Sequence, residues 1–386
     1  MSDPLPLAGI RIVDLSNAGP GPRCSRILAD LGAAVIRVAP PARQGGHRVE
    51  MADHAYGAGR GWRKLAVDLK DDRGHAVLAR LLETADVLIE GFRPGVAARL
   101  RLGYEDVRCI NSRLIYCSIS SYGQTGPAAN SVGHDLNYVA MSGMLAMGGH
   151  RSDGAPAIPG LTVADTSSGM QAAICILGAL LRRSSLGTGC YLDVSATDAM
   201  LHLMSLYVDE YLATGIEPKQ GTSVLTGKHA CYDTYATLDG HWLSVAAIEK
   251  GFFAKLCDAL GCPHRIPEQY DNAKQHEIRV DFKKAFASRT RADWLKILGP
   301  LDTCVAPVNS IADVVMDPNF TARGAFGEAL DPSGRSRRQV GNIYAASFGV
   351  KVPIPPTERA DYPAILSEIG ISSAELAALE QSGVVG

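Results

Sequence analysis

The architecture of the chain follows from Ile10-Arg-Ile-Val-Asp-Leu15 and the turn behind it, Ser16-Asn-Ala-Gly-Pro-Gly-Pro22. From Arg23 to Leu31 apolar residues recur at helical spacing, and Gly32 has the residue type of a C-cap. A β-branched run, a glycine-rich turn and an amphipathic helix form the strand–turn–helix unit of α/β proteins. The next strand is predicted over 33–38, where Pro40 stops it.

The same alternation of strands and helices continues through the first half of the chain. Strands are predicted over 65–69, 87–89, 114–119 and 190–194, and helices over 72–83 and 166–183. Strands that alternate with helices favour a parallel, doubly wound sheet. A second α/β module follows, with strands over 231–237, 241–247 and 304–308, and helices over 250–259, 279–288 and 293–298. Residues 331–352 are predicted to be loop-like, and 372–381 a final helix.

Composition excludes several classes of protein. The 386 residues carry 38 Lys+Arg against 40 Asp+Glu, so no basic surplus points to nucleic acid. No run approaches 18 uninterrupted apolar residues and the N-terminus lacks a signal pattern, so we expect neither a membrane span nor secretion. Nine cysteines without a CxxC pair favour reduced thiols in a cytoplasmic protein and no zinc site.

A first strand, glycine turn and helix also suggest a dinucleotide-binding domain. The G-x-G-x-x-G spacing is missing, because Pro22, Arg23 and Cys24 follow Gly21. The second strand does not end in the acidic residue that would hold a ribose. The turn still opens a helix whose N-terminal amides suit an anionic group.

Five ordered motifs resemble the CaiB/BaiF family, also called family III CoA-transferases, which holds CoA-transferases and racemases. They are Leu7-Ala-Gly-Ile-Arg-Ile-Val-Asp-Leu15, Leu28-Ala-Asp-Leu-Gly-Ala-Ala-Val-Ile-Arg37, Arg63-Lys-Leu-Ala-Val-Asp-Leu-Lys70, Glu90-Gly-Phe-Arg-Pro-Gly-Val96 and Ser121-Tyr-Gly-Gln-Thr-Gly-Pro127. The resemblance implies a Rossmann-like large domain built from both chain ends, a smaller α/β domain and an interlocked homodimer. The corresponding boundaries are 1–195, 225–310 and 341–386, with linkers over 196–224 and 311–340.

Two further segments resemble the α-methylacyl-CoA racemases within this family. They are Gly133-His-Asp-Leu-Asn-Tyr138, and Tyr232-Asp-Thr-Tyr235 with Asp239-Gly240, which leads to Ala247-Ile-Glu249. The likeness implies epimerisation of 2-methylacyl-CoA thioesters by His134 and Asp165. By the same likeness Glu249 orients the histidine from the partner subunit, and the backbone N–H of Asp135 donates to the enolate. No metal or redox cofactor is implied, and coenzyme A enters as part of the substrate.

The residue chemistry agrees with this assignment but leaves alternatives open. Moving an α-proton between faces needs two acid–base groups and a donor to the enolate oxygen. Histidine suits one side, and a carboxyl suits the other when its surroundings raise its pKa. On residues alone, His134 could be an N-cap neighbour, Asp165 the N-cap of the long helix and Glu249 a first-turn acid.

Residues that bind the substrate are also predicted, each with a structural alternative. Arg37, Lys64 and Arg93 stand where the family contacts the nucleotide of coenzyme A, although solvated surface cations are the alternative. Met141, Met144 and Met147 are predicted to share one helix face and either contact the acyl chain or pack in the core. Thr166 and Ser167 add hydroxyls that could narrow the acyl pocket, and no role is assigned to Tyr138.

Two other functions compete with racemisation. In a CoA-transferase Asp165 would act as nucleophile and His134 would not be needed. A non-catalytic acyl-CoA-binding protein is the third reading, and the intact set of His134, Asp165 and Glu249 speaks against it. The acyl group itself is not specified by any motif.

Overall fold

The protein was examined as a computed structural model that describes residues 4–41, 59–330, 334–350 and 359–386, with Arg359 and Ala360 described as backbone. The chain divides into two compact units. The first comprises Met1–Leu145, Ile158–Ser205 and Pro318–Gly386, and the second Ala146–Ala157 and Leu206–Asp317. The first unit is thus built from both ends of the chain.

The strands of the described residues, in chain order, are β1 (Arg11–Asp14), β2 (Ala34–Ala39), β3 (Arg63–Ala66), β4 (Val87–Glu90), β5 (Ile115–Ser120), β6 (Cys190–Ser195), β7 (Tyr232–Ala236), β8 (Trp242–Ala246), β9 (Val305–Pro307), β10 (Phe326–Leu330), β11 (Ser336–Val340) and β12 (Arg359–Ala360).

The α-helices of the same residues are α1 (Pro20–Asp30), α2 (Asp72–Glu83), α3 (Val96–Arg99), α4 (Tyr104–Ile110), α5 (Asp135–Met141), α6 (Met144–Met147), α7 (Val163–Leu186), α8 (Ala196–Leu203), α9 (Ser205–Thr214), α10 (Lys250–Ala259), α11 (Gln275–Phe286), α12 (Arg291–Leu298), α13 (Ile311–Met316), α14 (Pro318–Ala322), α15 (Ile343–Ser347), α16 (Tyr362–Glu368) and α17 (Ser373–Gln381). Short 3₁₀ turns cover Val224–Thr226 and Pro263–Glu268.

The first unit is organised around one parallel sheet with the strand order β12-β3-β2-β1-β4-β5-β6. Successive parallel strands need crossover connections, and helices provide them on both faces. The predicted doubly wound α/β fold is therefore confirmed. A separate antiparallel hairpin, β10–β11, belongs to the same unit.

Alternate residues of the strands fill two cores, one on each face of this sheet. Ile12 of β1 packs in the core shared with α1 and α7, whereas Val13 packs in the core shared with α2, α16 and α17. The central strand β4 is buried along its whole length, as expected of a parallel strand covered by helices on both sides. Each such fully buried aliphatic side chain contributes about 1.5–3 kcal/mol through removal from water.

The second unit has its own aromatic core over the antiparallel sheet β7-β8-β9. Tyr235 stacks on Phe286 with ring centroids 5.1 Å apart, and Phe286 meets Trp294 edge-on at 5.5 Å. Large rings that interlock in this way contribute beyond their buried area. The unit therefore holds β8, and the residues that follow it, on a rigid base.

Three expectations about local structure were wrong. The tail 331–352 contains β11 and α15 among its described residues, because the hairpin and Asn342, which caps α15, supply hydrogen bonds that composition does not reveal. The 196–224 segment was expected as a linker that begins with one helix up to about residue 214, whereas two helices, α8 and α9, occupy that stretch. The segment Ala146–Ala157, expected in the large domain, groups with the second unit.

Helix α7 has the length and composition of a membrane-spanning helix, with mean hydropathy 1.2 over its most apolar window. A search for 18 uninterrupted apolar residues does not detect this helix, because serines and arginines interrupt its apolar runs. In this structure its inner residues Ala172, Ala173 and Ile176 pack in the sheet core beside α1. A core helix of a soluble protein meets the same length and hydropathy criteria.

Helices α1 and α7 approach closely at Gly169. A Cβ atom on Gly169 would lie 2.8 Å from the carbonyl oxygen of Pro20 and 2.9 Å from the Cβ of Arg23. Both distances are shorter than van der Waals contact, so only glycine fits unless the helices separate. The two N-terminal ends therefore lie side by side.

We predict that Gly169→Ala lowers the free energy of unfolding by about 1–3 kcal/mol, since the added methyl overpacks this contact. Urea unfolding followed by circular dichroism measures the change. Gly251→Ala in α10 is the matched control, because no atom lies within 4 Å of its Cβ position. Equal stability of Gly169→Ala and wild type would contradict the packing argument.

Candidate active site

The turn after β1 is fixed by a buried carboxylate. Asp14 is fully buried and accepts hydrogen bonds from the backbone N–H of Ser16 at 2.7 Å and from the Ser25 hydroxyl at 2.6 Å. Burial raises the pKa of Asp14, while the serine donors oppose that rise. The serines therefore satisfy a carboxyl that is removed from water, and they lock the loop that leads to Gly19.

Gly19 brings this turn against Asp165. Its φ is 74°, in the left-handed region that favours glycine, and it caps the start of α1. A Cβ atom on Gly19 would lie 3.6 Å from Oδ1 of Asp165. The backbone of the turn therefore forms one wall beside the Asp165 carboxyl.

His134 is the residue that caps the start of α5, but its ring takes no part in the cap. Its backbone is extended, and its N–H donates to Oδ1 of Asn137 at 3.0 Å. The side chain is exposed and makes no capping hydrogen bond. The local explanation, an N-cap neighbour, thus accounts for the backbone of His134 and leaves the imidazole available for chemistry.

Asp165 lies in the first turn of α7 and is not its N-cap, which is Thr162. Its backbone N–H donates to Oδ1 of Asp135 at 2.9 Å, so a side chain from α5 caps α7. The carboxyl is half-buried. Burial, followed by the nearby charge of Asp135, raises the pKa of Asp165, while Arg23 and His134 act in the opposite direction.

Asp135 has a second usable group. As the first residue of α5 its backbone N–H has no partner within the helix. The structure thus places an exposed imidazole, a half-buried carboxyl and an available amide at the adjoining starts of α5 and α7. An imidazole and a carboxyl of raised pKa can exchange a proton with a bound carbon acid.

The hydroxyls beside Asp165 are engaged within the protein. Arg23 donates to Thr166 Oγ1 at 2.9 Å and also to the Thr162 hydroxyl. Thr166 donates to the carbonyl of Thr162 at 2.7 Å, and Ser167 to that of Ala164 at 3.1 Å. These hydroxyls therefore form hydrogen bonds within α7 and with Arg23. The sequence had instead suggested that they narrow the acyl pocket.

Tyr138 supports the backbone in front of His134. Its hydroxyl donates to the carbonyl of Gly133 and lies 2.7 Å from Ser121 Oγ. A Cβ atom on Gly133 would lie 2.4 Å from the Tyr122 hydroxyl, so this glycine is enclosed by two tyrosines that meet edge-on. The structure gives Tyr138 the supporting role that the sequence left open.

Apolar side chains flank the site within the first unit. Those more than 40% exposed in and before α5 are Val132, Leu136 and Met141, and those before α7 are Ile158 and Leu161. The prediction of three methionines on one helix face was wrong, because Gly143 at φ 84° interrupts the helix and separates α5 from α6. Met141 is exposed, whereas Met144 packs against a small core.

Glu249 lies in the second unit, where it precedes α10 with an extended backbone and an exposed side chain that makes no capping bond. Two hydrogen bonds fix the main chain directly before Glu249. Gln269 Nε2 donates to the carbonyl of Ile248 at 2.7 Å, and the Tyr270 hydroxyl donates to the same oxygen. The carboxylate therefore has a fixed base and no local role as a helix cap.

The predicted phosphate-binding cations belong to the first unit. Arg37 of β2 and Lys64 of β3 are register partners, so their side chains stand side by side on one face. Nη2 of Arg37 also donates to the carbonyl of Asn17 at 3.2 Å. Arg93 is exposed and follows β4, where Glu90 accepts the N–H of Phe92 at 2.6 Å and shapes the turn.

Several residues of the site carried no recognisable sequence signal. The link between Asp135 and Asp165 spans 30 positions, and Gly19 meets Asp165 across a still longer separation. Gln269 and Tyr270 directly follow the 3₁₀ turn Pro263–Glu268, and no sequence motif marks them. The glycines of Gly19-Pro-Gly-Pro22 are the one signal that could have indicated a tight turn at this place.

Several known proteins resemble this chain over most of its length. The sequence profile of CoA-transferase family III matches residues 7–356. Alpha-methylacyl-CoA racemase of Homo sapiens is 36% identical over 383 residues, covering 98% of this chain and 97% of that protein. Succinate–glutarate CoA-transferase of Agrobacterium fabrum is 33% identical, covering 83% and 84%. The crystal structure of a CAIB/BAIF family protein from Brucella suis superposes with a TM-score of 0.79 at 29% identity, covering 95% and 100%.

We predict that Tyr138→Phe lowers the free energy of unfolding by about 1–3 kcal/mol, because the carbonyl of Gly133 loses its donor. Thermal and urea unfolding measure the loss. Tyr211→Phe is the control, since Tyr211 is exposed and has no hydrogen bond among the described side chains. If both variants unfold alike, the Tyr138 hydroxyl does not support this segment.

Proposed function

The chain belongs to CoA-transferase family III, and on that basis we propose that it is a racemase that interconverts the 2R and 2S epimers of 2-methylacyl-CoA thioesters. The observation that carries the proposal is that the exposed His134 imidazole and the half-buried Asp165 carboxyl lie at the starts of α5 and α7, which the hydrogen bond from the Asp165 N–H to Asp135 joins. The likeness to alpha-methylacyl-CoA racemase of Homo sapiens over nearly the whole chain supports it.

The proposed reaction moves one proton off the α-carbon and returns one to the opposite face. In one direction the neutral His134 imidazole takes the α-proton and the C–H electron pair enters an enolate. The thioester oxygen accepts the backbone N–H of Asp135, which stabilises the developing charge. Protonated Asp165 then gives its proton to the α-carbon, and the reverse direction exchanges the two roles.

The raised pKa of Asp165 supports its role as the acid. An ordinary aspartate is ionised near neutral pH and has no proton to give. Burial and the charge of Asp135 favour the protonated form, as in other enzymes that separate the roles of acid and base through their surroundings. The environment thus favours Asp165 as donor and leaves His134 as acceptor.

Proton transfer of this kind requires no electron transfer, so we propose that the reaction uses neither a metal nor a redox cofactor. Coenzyme A is then part of the substrate, and Arg37, Lys64 and Arg93 are proposed to bind its phosphates. The exposed apolar residues around α5 are proposed to receive the acyl group. A cytoplasmic location stays a prediction, supported by nine cysteines that are all free.

We propose that the active form is a homodimer in which Glu249 of the partner subunit orients His134. In the first unit α7 exposes Met170, Ile174 and Leu181 on one side, and Ile174 and Leu181 are 66% and 73% exposed. Leu201 and Leu203 of α8 are half exposed as well. Exposed apolar surface of this kind is typical of a face that a partner covers. We propose that the partner is a second copy of this chain, because the resemblance to the family implies a homodimer.

CoA transfer is the second candidate function. The similarity to succinate–glutarate CoA-transferase of Agrobacterium fabrum and the same Asp165 carboxylate favour it. In that reaction the ionised carboxylate would attack the thioester carbonyl, release the CoA thiolate and form a mixed anhydride. Burial beside Asp135 disfavours the ionised nucleophile, whereas it favours an acid.

We predict that the purified protein, given one epimer of a 2-methylacyl-CoA in D₂O without free acid, loses the α-proton signal and forms the other epimer. Proton NMR and chiral chromatography follow the two changes. His134→Ala and Asp165→Ala should each slow exchange about 10²–10⁴-fold, because each removes one acid–base group. His276→Ala, an exposed histidine of α11, should keep the wild-type rate.

Absence of exchange by wild type with several acyl groups would contradict the proposal. Addition of a carboxylic acid to the same sample then identifies a transferase, if a new CoA thioester forms. In that case His134→Ala would keep transfer while Asp165→Ala would lose it.

A shared site predicts complementation between subunits. Glu249→Ala and His134→Ala homodimers should both be impaired, whereas a purified heterodimer of the two should have one intact site and regain about half of the wild-type activity. Native mass spectrometry verifies the mixed species. A verified heterodimer without activity would argue against Glu249 acting across the interface.

A further inference from the structure

The side chain of Asp135 is the acidic group of the site that the proposed reaction leaves without a role. The reaction uses only its backbone N–H. Yet its carboxylate accepts the backbone N–H of Asp165 at 2.9 Å and connects the starts of α5 and α7.

We propose that the Asp135 carboxylate is a positioning residue that fixes the backbone of Asp165 and keeps a negative charge beside its carboxyl, so that this carboxyl remains the proton donor of the pair. The inference deepens the proposed function, because it takes the acid role of Asp165 from it. One residue would then bind the enolate oxygen with its amide and set the acid with its side chain.

The geometric part of the argument rests on the helix ends. The first turn of α7 has N–H groups without partners inside the helix, and its N-cap, Thr162, makes no side-chain cap hydrogen bond. Asp135 satisfies the N–H of Asp165 from another helix. A shift of α5 therefore shifts the catalytic carboxyl with it, and His134, the neighbour of Asp135, moves in the same body.

The electrostatic part follows from the groups that face Asp165. Asp135 is the neighbouring negative charge from α5, Arg23 faces it from α1, His134 lies before α5, and Tyr138 adds a neutral hydroxyl. Burial is the largest cause that raises the pKa of Asp165, and Asp135 is the next. Arg23 and His134 lower it, so the charge of Asp135 offsets two cationic or ionisable neighbours.

Two substitutions separate position from charge. Asp135→Asn keeps an Oδ1 acceptor for the Asp165 N–H but removes the charge. Asp135→Ala removes both. Glu105→Gln on α4 is the control for loss of one carboxylate, because Glu105 is 77% exposed in a surface pair with Arg108.

The first measurement follows the carboxyl of Asp165 directly, by ¹³C NMR of protein labelled at the aspartate carboxyl. The resonance is assigned by its loss in Asp165→Asn. In Asp135→Asn a like charge no longer opposes ionisation, so the Asp165 signal should titrate at lower pH than in wild type or Glu105→Gln. An unchanged titration in Asp135→Asn would overturn the proposal, and this readout does not depend on which reaction the enzyme performs.

The second measurement is the pH profile of α-proton exchange. The pair works with one proton, and at low pH both members are protonated, so the acid limb reports the first proton lost. That limb should move to lower pH in Asp135→Asn. In Asp135→Ala the rate should also fall about 100-fold at all pH values, because the carboxyl is misplaced. A lower rate with unmoved limbs would show a merely structural role and overturn the proposal.

The two proposals fail in different ways. Wild type without exchange, combined with a shifted Asp165 titration in Asp135→Asn, would reject the racemase function and support the role of Asp135. Wild type with exchange and an unshifted titration would keep the racemase and reject that role.

Discussion

The close approach of α1 to α7 is the constraint on which the rest of the site depends. Gly169 lets the two helices meet. The positive φ of Gly19 turns the chain so that a Cβ atom on this residue would lie 3.6 Å from Oδ1 of Asp165. A larger residue at Gly169 would separate α1 from α7, whereas a residue with a side chain at Gly19 would be strained by the positive φ. The buried Asp14 and its serine partners then keep the turn from relaxing, since a carboxyl without donors inside a protein is costly.

The neighbouring residues also set the pKa of the Asp165 carboxyl. Asp165 is half-buried, and the negative charge of Asp135 and the positive charge of Arg23 act on its carboxyl in opposite directions. Burial and a like charge favour the protonated acid, whereas the arginine limits that shift. The surroundings of Asp165 thus favour the protonated carboxyl over the ionised one.

Much of the fold could be predicted because it depends on local patterns. The helices Asp72–Glu83 and Lys250–Ala259 have the bounds that the sequence predicts. The tail after Asp331 could not be predicted, because its strand pairs with β10 and its polar residues give no periodic signal. The site residues His134, Asp165 and Glu249 were predicted from motif resemblance, whereas Gln269 and Tyr270 act through hydrogen bonds to main-chain carbonyls, which any sequence would provide.

The sequence by itself determined the alternation of strands and helices, the parallel sheet and the family, because apolar periodicity, turn residues and ordered motifs are written along the chain. Only the tertiary structure decided that the side chain of Asp135 caps the helix of Asp165, that Tyr138 holds the carbonyl before His134, and that the three methionines do not share a face. These relations join positions far apart in sequence or depend on one backbone angle. They arise when packing brings helix ends together, and a local pattern does not contain that information.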